Sequence, residues 1–195
     1  MQTRLIAITG GIGSGKSVVS TILRILGYKV YDCDSRAKQL MDTDSRLQHQ
    51  LRETFSDVIF KNGTIDRVAL AQLVFSDKQR LQQLNAIVHP AVRHDIEQWA
   101  KANQSASLLF VETAILRESK MEDLFDMVLN ITASEDTRIR RVMRRNNLSR
   151  EAVLARISSQ TDSHFQNEVI LVNDDDKAIL PQIQVFLKSA LLIYF

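Results

Sequence analysis

Hydrophobic and polar positions follow two regimes along the chain. Short apolar runs occur at RLIAIT (4–9), YKVYD (28–32), SLLFVE (107–112), MVLNI (127–131) and VILV (169–172). Their length and β-branched content predict buried strands. Between them, apolar residues recur at three- and four-residue steps. Val18, Ile22 and Ile25–Leu26 predict a helix over 15–26, with Gly27 as its stop. Leu47, Leu51 and Phe55 predict a second helix, and Asp66 caps a third in RVALAQLVF. Asn62-Gly63 marks a turn. The stretch 77–103 reads as helical, with a break or a fresh start at His89-Pro90, because proline lacks the amide that continues a helix. Residues 134–160 are helical and rich in arginine, and a last helix runs from about 175 to 192. Strand, tight loop, helix and strand over 4–32 form a βαβ unit, which implies a parallel sheet with a right-handed crossover. That unit is expected to bring the first two strands into one neighbourhood. The pattern predicts an α/β core interrupted by a mostly helical insertion from about 35 to 104.

Composition narrows the class. The chain has 195 residues, 45% apolar and 25% charged, the mix of a soluble globular protein with a sizeable core. A net charge of +2 argues against nucleic acid as the main partner. No apolar run reaches the ~18 residues of a membrane span, and LIAIT is too short for a signal-peptide core. One cysteine, Cys33, excludes an internal disulfide framework and a Cys-rich zinc site, and a reducing cytoplasm is the simplest setting. His49, His89, His94 and His164 show no metal-ligand spacing.

Glycine is concentrated in one place: four of the six lie in GGIGSG at 10–15. Gly10-x-x-x-x-Gly15-Lys16-Ser17 matches the P-loop pattern, with a predicted strand before it and a helix after it. Glycines let successive amides turn inward on phosphate oxygens, and the helix N-terminus adds partial positive charge. Lys16 suits the β- and γ-phosphates of ATP, and the Ser17 hydroxyl suits Mg²⁺. The base-reading NKxD of GTPases is absent and a motor would be longer, so the pattern fits a small kinase. In TRIRRVMRRNN, Arg138, Arg141 and Arg145 share one helical face, and Arg140 and Arg144 share another. One face suits closure over a triphosphate; the alternative is a basic surface helix. Glu112, at the tip of LLFVE, suits a Mg²⁺-bound water or simply ends a strand at solvent. His89 suits contact with an acceptor phosphate or capping of the next helix. Asn173–Asp176 suit the neighbourhood of the adenine or capping of the last helix. In VYDCDS (30–35), strand alternation would point Cys33 away from Asp32 and Asp34, as a small buried apolar residue.

Together, TGGIGSGKS (9–17), D-x-D (32–34), NGTIDRVALAQLVF (62–75), LNAIVHP (84–90), RRVMRRNNLSREAVLARISSQ (140–160) and VND (172–174) resemble the dephospho-coenzyme A kinase family, over nearly the whole chain. The resemblance implies a P-loop NTPase core with a parallel sheet flanked by helices, a helical substrate-binding insertion and an arginine-rich helical lid. The corresponding segments are 1–34, 105–133 and 165–195 for the core, 35–104 for the insertion and 134–164 for the lid. It also implies ATP-dependent phosphorylation of the ribose 3′-hydroxyl of dephospho-CoA, with Mg²⁺, and no nucleic-acid or membrane partner. By position, Gly11, Gly13, Ser14, Gly15, Lys16, Ser17 and Val18 hold the nucleotide, with Arg145 and Asn173. Ser17 and Glu112 serve the metal. Asp34, Lys16 and Arg141 carry the transfer, and Asp34, Arg67 and His89 meet the acceptor. One departure is Ala114-Ile115-Leu116, where the family has proline-leucine-leucine. A nucleoside monophosphate kinase and a non-catalytic nucleotide switch are the alternatives.

Overall fold

The central strand, β1 (Arg4–Thr9), becomes fully buried by Ile6 and leads directly into the glycine loop. The computed structural model describes residues 3–160 and 164–192, and the chain divides into two units. One comprises Met1–Tyr31 and Asn103–Phe195, the other Asp32–Ala102.

In the first unit, β1 is followed by α1 (Lys16–Ile25) and β2 (Lys29–Asp32). The second unit comprises α2 (Cys33–Thr43), α3 (Ser45–Phe55), the two-residue strands β3 (Phe60–Lys61) and β4 (Thr64–Ile65), α4 (Arg67–Phe75) and α5 (Lys78–Ala102). The chain then completes the first unit with β5 (Leu108–Glu112), β6 (Met127–Thr132), α6 (Glu135–Asn146), α7 (Arg150–Ser158), β7 (Glu168–Val172) and α8 (Ile179–Leu192).

The sheet order is β2-β5-β1-β6-β7, and β1 pairs in parallel with both β5 and β6. The expected neighbourhood of the first two strands is therefore corrected, because β5 lies between them. Four consecutive residues of β5, Leu108–Val111, are buried, as both faces of a parallel sheet require. Val19 and Leu23 of α1 and Ile183, Phe186 and Leu187 of α8 pack with Ile6, Ile8, Phe110, Leu129 and Ile131 of the strands. Phe110 meets Tyr28 edge-on at 5.5 Å between ring centroids. The helical stretch 134–160 is two helices rather than one. Asn147 ends α6 in the left-handed conformation, and Ser149 starts α7 by accepting from the Ala152 amide. Ile139, Val142 and Val153 form the small apolar cluster joining them.

In the second unit, Asp44 and Asp66 each cap a helix by accepting two amides. Asn62 and Gly63, both at positive φ, turn the β3–β4 hairpin. Leu47, Leu51 and Phe55 are buried, as their spacing predicts. Arg36 of α2 grips Asp95 of α5 through two nitrogens, at 2.7–2.9 Å. The expected break at Pro90 does not occur: α5 runs through it for 25 residues. Val88, Val92 and Ile96 form one buried stripe on both sides of the proline, and that packing outweighs one lost backbone bond. His89 is accordingly helical. No helix among the described residues is long and apolar enough to cross a membrane.

Candidate active site

The glycine loop is built at the carboxyl end of β1, where an open α/β sheet presents its ligands. Gly15 precedes α1 at φ 97°, a left-handed conformation that costs a side-chain-bearing residue energy. A Cβ there would also lie 2.0 Å from the Asn173 Nδ2. No side chain caps the start of α1. The amides of Gly13, Gly15 and Ser17 donate to no acceptor among the described residues. The buried Ser14 hydroxyl likewise has no partner among them. Uncommitted amides at a helix N-terminus favour an anion. The Lys16 ammonium donates to the carbonyls of Gly10 at 2.7 Å and Gly11 at 3.3 Å, so a cation is folded onto the loop. Ser17 and Val18, in the first turn of α1, are both exposed.

Three residues expected at the site from distant parts of the sequence meet in one chain of bonds. Asn173, just past β7, is buried and donates from Nδ2 to the Ser14 carbonyl at 2.8 Å. Its own carbonyl accepts from Arg141 at 2.8 Å, and Arg141 also reaches Asp175 at 3.1 Å. Asn173 thus braces the loop. Arg145 is exposed and donates to its neighbour Asn146 at 2.8 Å. Asp174 accepts from the Ser134 hydroxyl and amide, which hold its carboxyl below the usual aspartate range. Thr9, Gly10, Gly11, Ser14, Arg138 and Gln160 help line a cleft of about 660 Å³, a size that suits a small-molecule ligand.

Glu112 closes β5 opposite Ile8 of β1, and the next amide, Thr113, donates to the Ile8 carbonyl at 3.0 Å. Among the described residues no three His, Cys, Asp or Glu side chains cluster as a metal cage. Mg²⁺ needs no such cage: one or two protein oxygens suffice beside phosphate and water. The Ser17 hydroxyl and the Glu112 carboxylate are hard oxygen donors of the type that ion takes.

Asp34, Arg67 and His89 belong to the second unit. The helix α2 begins at Cys33, so strand alternation does not govern VYDCDS as the sequence suggested. Asp32 is the N-cap, accepting from the Ser35 amide at 3.0 Å, and Asp34 stands exposed in the first turn. Arg67 donates to Asp42 at 2.7 Å and to the Lys38 carbonyl at 3.0 Å. His89 is half-buried in α5. Sequence reasoning left Gln160 without a role and gave Arg138 only a shared helical face. Arg138 donates to the Ile12 carbonyl, and Gln160 accepts from the Ile12 amide. Arg138 stood in TRIRRVMRRNN and Gln160 at the end of RRVMRRNNLSREAVLARISSQ, and neither segment carries the geometry that joins them.

Residues 4–178 match the family described as Dephospho-CoA kinase. A Dephospho-CoA kinase from Bacteroides fragilis is 35% identical over 181 residues, covering 91% of this chain and 88% of its own. One from Porphyromonas gingivalis is 43% identical over 155 residues, covering 80% and 76%. A crystal structure from Thermus thermophilus superposes with a TM-score of 0.80 at 36% identity, covering 100% of both chains. A Dephospho-CoA kinase from Campylobacter jejuni gives 0.67 at 28% identity, covering 95% and 96%. The fold, the phosphate loop and these matches place the chain in the dephospho-CoA kinase family.

Proposed function

We propose that this protein transfers the γ-phosphoryl group of ATP to the ribose 3′-hydroxyl of dephospho-CoA, giving CoA and ADP. The observation that carries this reading is the lysine-bearing P-loop at the end of β1, with uncommitted amides, in a chain of that family. The amides of Gly13, Gly15 and Ser17 receive phosphate oxygens, and Lys16 exchanges its loop carbonyls for the β- and γ-phosphates. Gly11, Ser14 and Val18 complete the cradle. Asn173 keeps it in shape by holding the Ser14 carbonyl. Ser17 and Glu112 would hold Mg²⁺, which when bound offsets charge on the triphosphate.

The 3′-oxygen attacks the γ-phosphorus in line, and the bond from that phosphorus to the bridging oxygen breaks as ADP leaves. Asp34 orients the hydroxyl and accepts its proton; its exposed carboxylate is available for that task. Arg67 and His89 hold the acceptor within the insertion, residues 35–104. Arg141 and Arg145, in the lid over 134–164, offset charge spreading onto the transferred group. Cys33, the sole cysteine, is buried and in no disulfide, which suits a reducing cytoplasm.

The test is a panel of acceptors offered with ATP and Mg²⁺, with the phosphorylated position of each product determined. Dephospho-CoA should be the preferred acceptor, with phosphate on the 3′-oxygen. Phosphorylation of AMP, CMP or UMP but not dephospho-CoA would make the protein a nucleoside monophosphate kinase. Tight nucleotide binding without product from any acceptor would make it a switch.

A further inference from the structure

One residue at the tip of the phosphate loop, Ile12, is gripped by all its groups. Its amide donates to Gln160 Oε1 at 2.8 Å, and its carbonyl accepts from Arg138 Nε at 2.9 Å. The two partners also meet each other, with Arg138 Nη2 donating to the same Gln160 oxygen at 3.1 Å. The Ile12 side chain packs on the cluster of Ile139, Val142 and Val153 that joins α6 to α7. The neighbouring glycines fit the same contact. A Cβ on Gly11 would lie 2.4 Å from Arg138 Nη2, and one on Gly13 would lie 2.7 Å from the Arg138 carbonyl. Two of the loop's glycines therefore make room for α6 itself.

The division of labour within the loop is clear. The Ile12 amide is committed to the protein, whereas those of Gly13, Gly15 and Ser17 meet no acceptor among the described residues. The geometry points to Arg138 and Gln160 as positioning residues that act through Ile12, setting the shape of the phosphate loop and coupling it to the α6–α7 arm. This inference rests on the nucleotide-binding reading above. A loop ordered before binding spares the ligand the entropic cost of ordering it. Coupling of this kind is reciprocal: whatever the arm contributes to nucleotide affinity, bound nucleotide returns to the arm.

The test is the dissociation constant of ADP for the full chain and for Gln160→Met, Arg138→Met and the double variant, with melting temperatures measured without nucleotide. Each single change should weaken ADP about ten-fold, within the usual range of such couplings. The double variant should be no weaker than the worse single one, because both act through one clasp. Gln160→Glu keeps an acceptor for both donors and should stay within about three-fold of wild type. Unchanged ADP affinity in both singles overturns the inference, even if their melting temperatures fall. So does a double variant in which the two effects multiply, since Arg138 would then act on the nucleotide independently. A loss in Gln160→Glu as large as in Gln160→Met also overturns it. Wild-type protein that fails to bind ADP would instead defeat the nucleotide-binding reading.

Discussion

Gly15 carries two demands at once, a left-handed backbone and a side chain of the late loop where its Cβ would stand. Gly15→Ala should therefore weaken ADP binding by about ten-fold or more, consistent with roughly 1–3 kcal/mol of local strain; titration with ADP checks it. Asp34→Asn keeps the shape but removes the proton acceptor. It should lower kcat about 10²- to 10⁴-fold, the usual range for a lost general base, and leave the KM for ATP nearly unchanged. Near-normal turnover in steady-state assays would remove Asp34 from that role. Asp174 tests an electrostatic detail. Its carboxylate is favoured in the fold by bonds from Ser134, so its folded pKa lies below its unfolded one. The stability it supplies is present above the ordinary aspartate pKa, near ~3.9, and is lost as pH falls through the folded value. Asp174→Asn should lower the melting temperature at neutral pH and remove that acid limb, so that variant and wild type converge as the pH falls below the folded value.

At the scale of elements, most helices were legible because their signals are local. Asp66 caps α4 as its position predicts, and Leu47, Leu51 and Phe55 bury the face that their four-residue spacing defines. Two features were not legible for the opposite reason. Pro90 reads as a break on local grounds, yet Val88, Val92 and Ile96 share one buried stripe that carries α5 through it. Pro90→Ala should restore the missing backbone bond to the Ala86 carbonyl. It should raise stability by about 1–2 kcal/mol, the local gain less the lost unfolded-state restriction; chemical denaturation measures it. Strand alternation carried past YKVYD to Cys33 fails, because the Asp32 side chain caps the following helix and the strand ends at Asp32. A capping oxygen two or three residues ahead competes with strand alternation, and the sequence pattern alone does not rank the two.

For the whole molecule, five strand segments were identifiable from composition and length, but their order was not. β5 comes between β1 and β2 although the entire Asp32–Ala102 unit separates it from them in sequence. Adjacency of this kind is decided by crossovers and packing that leave no periodic trace in one chain. The candidate site divides the same way. The P-loop is a contiguous motif and was readable. Its braces were not, because Asn173, Arg138 and Gln160 come from three separate segments and act through main-chain atoms of Ser14 and Ile12. The central claim concerns the finished reaction, so the most direct measurement is on its product. Incubating the protein with ATP, Mg²⁺ and dephospho-CoA and locating the new phosphate by nuclear magnetic resonance should show it on the ribose 3′-oxygen, formed with one ADP per CoA. ADP formation without a 3′-phosphate, or a product only from nucleoside monophosphates, would contradict the account.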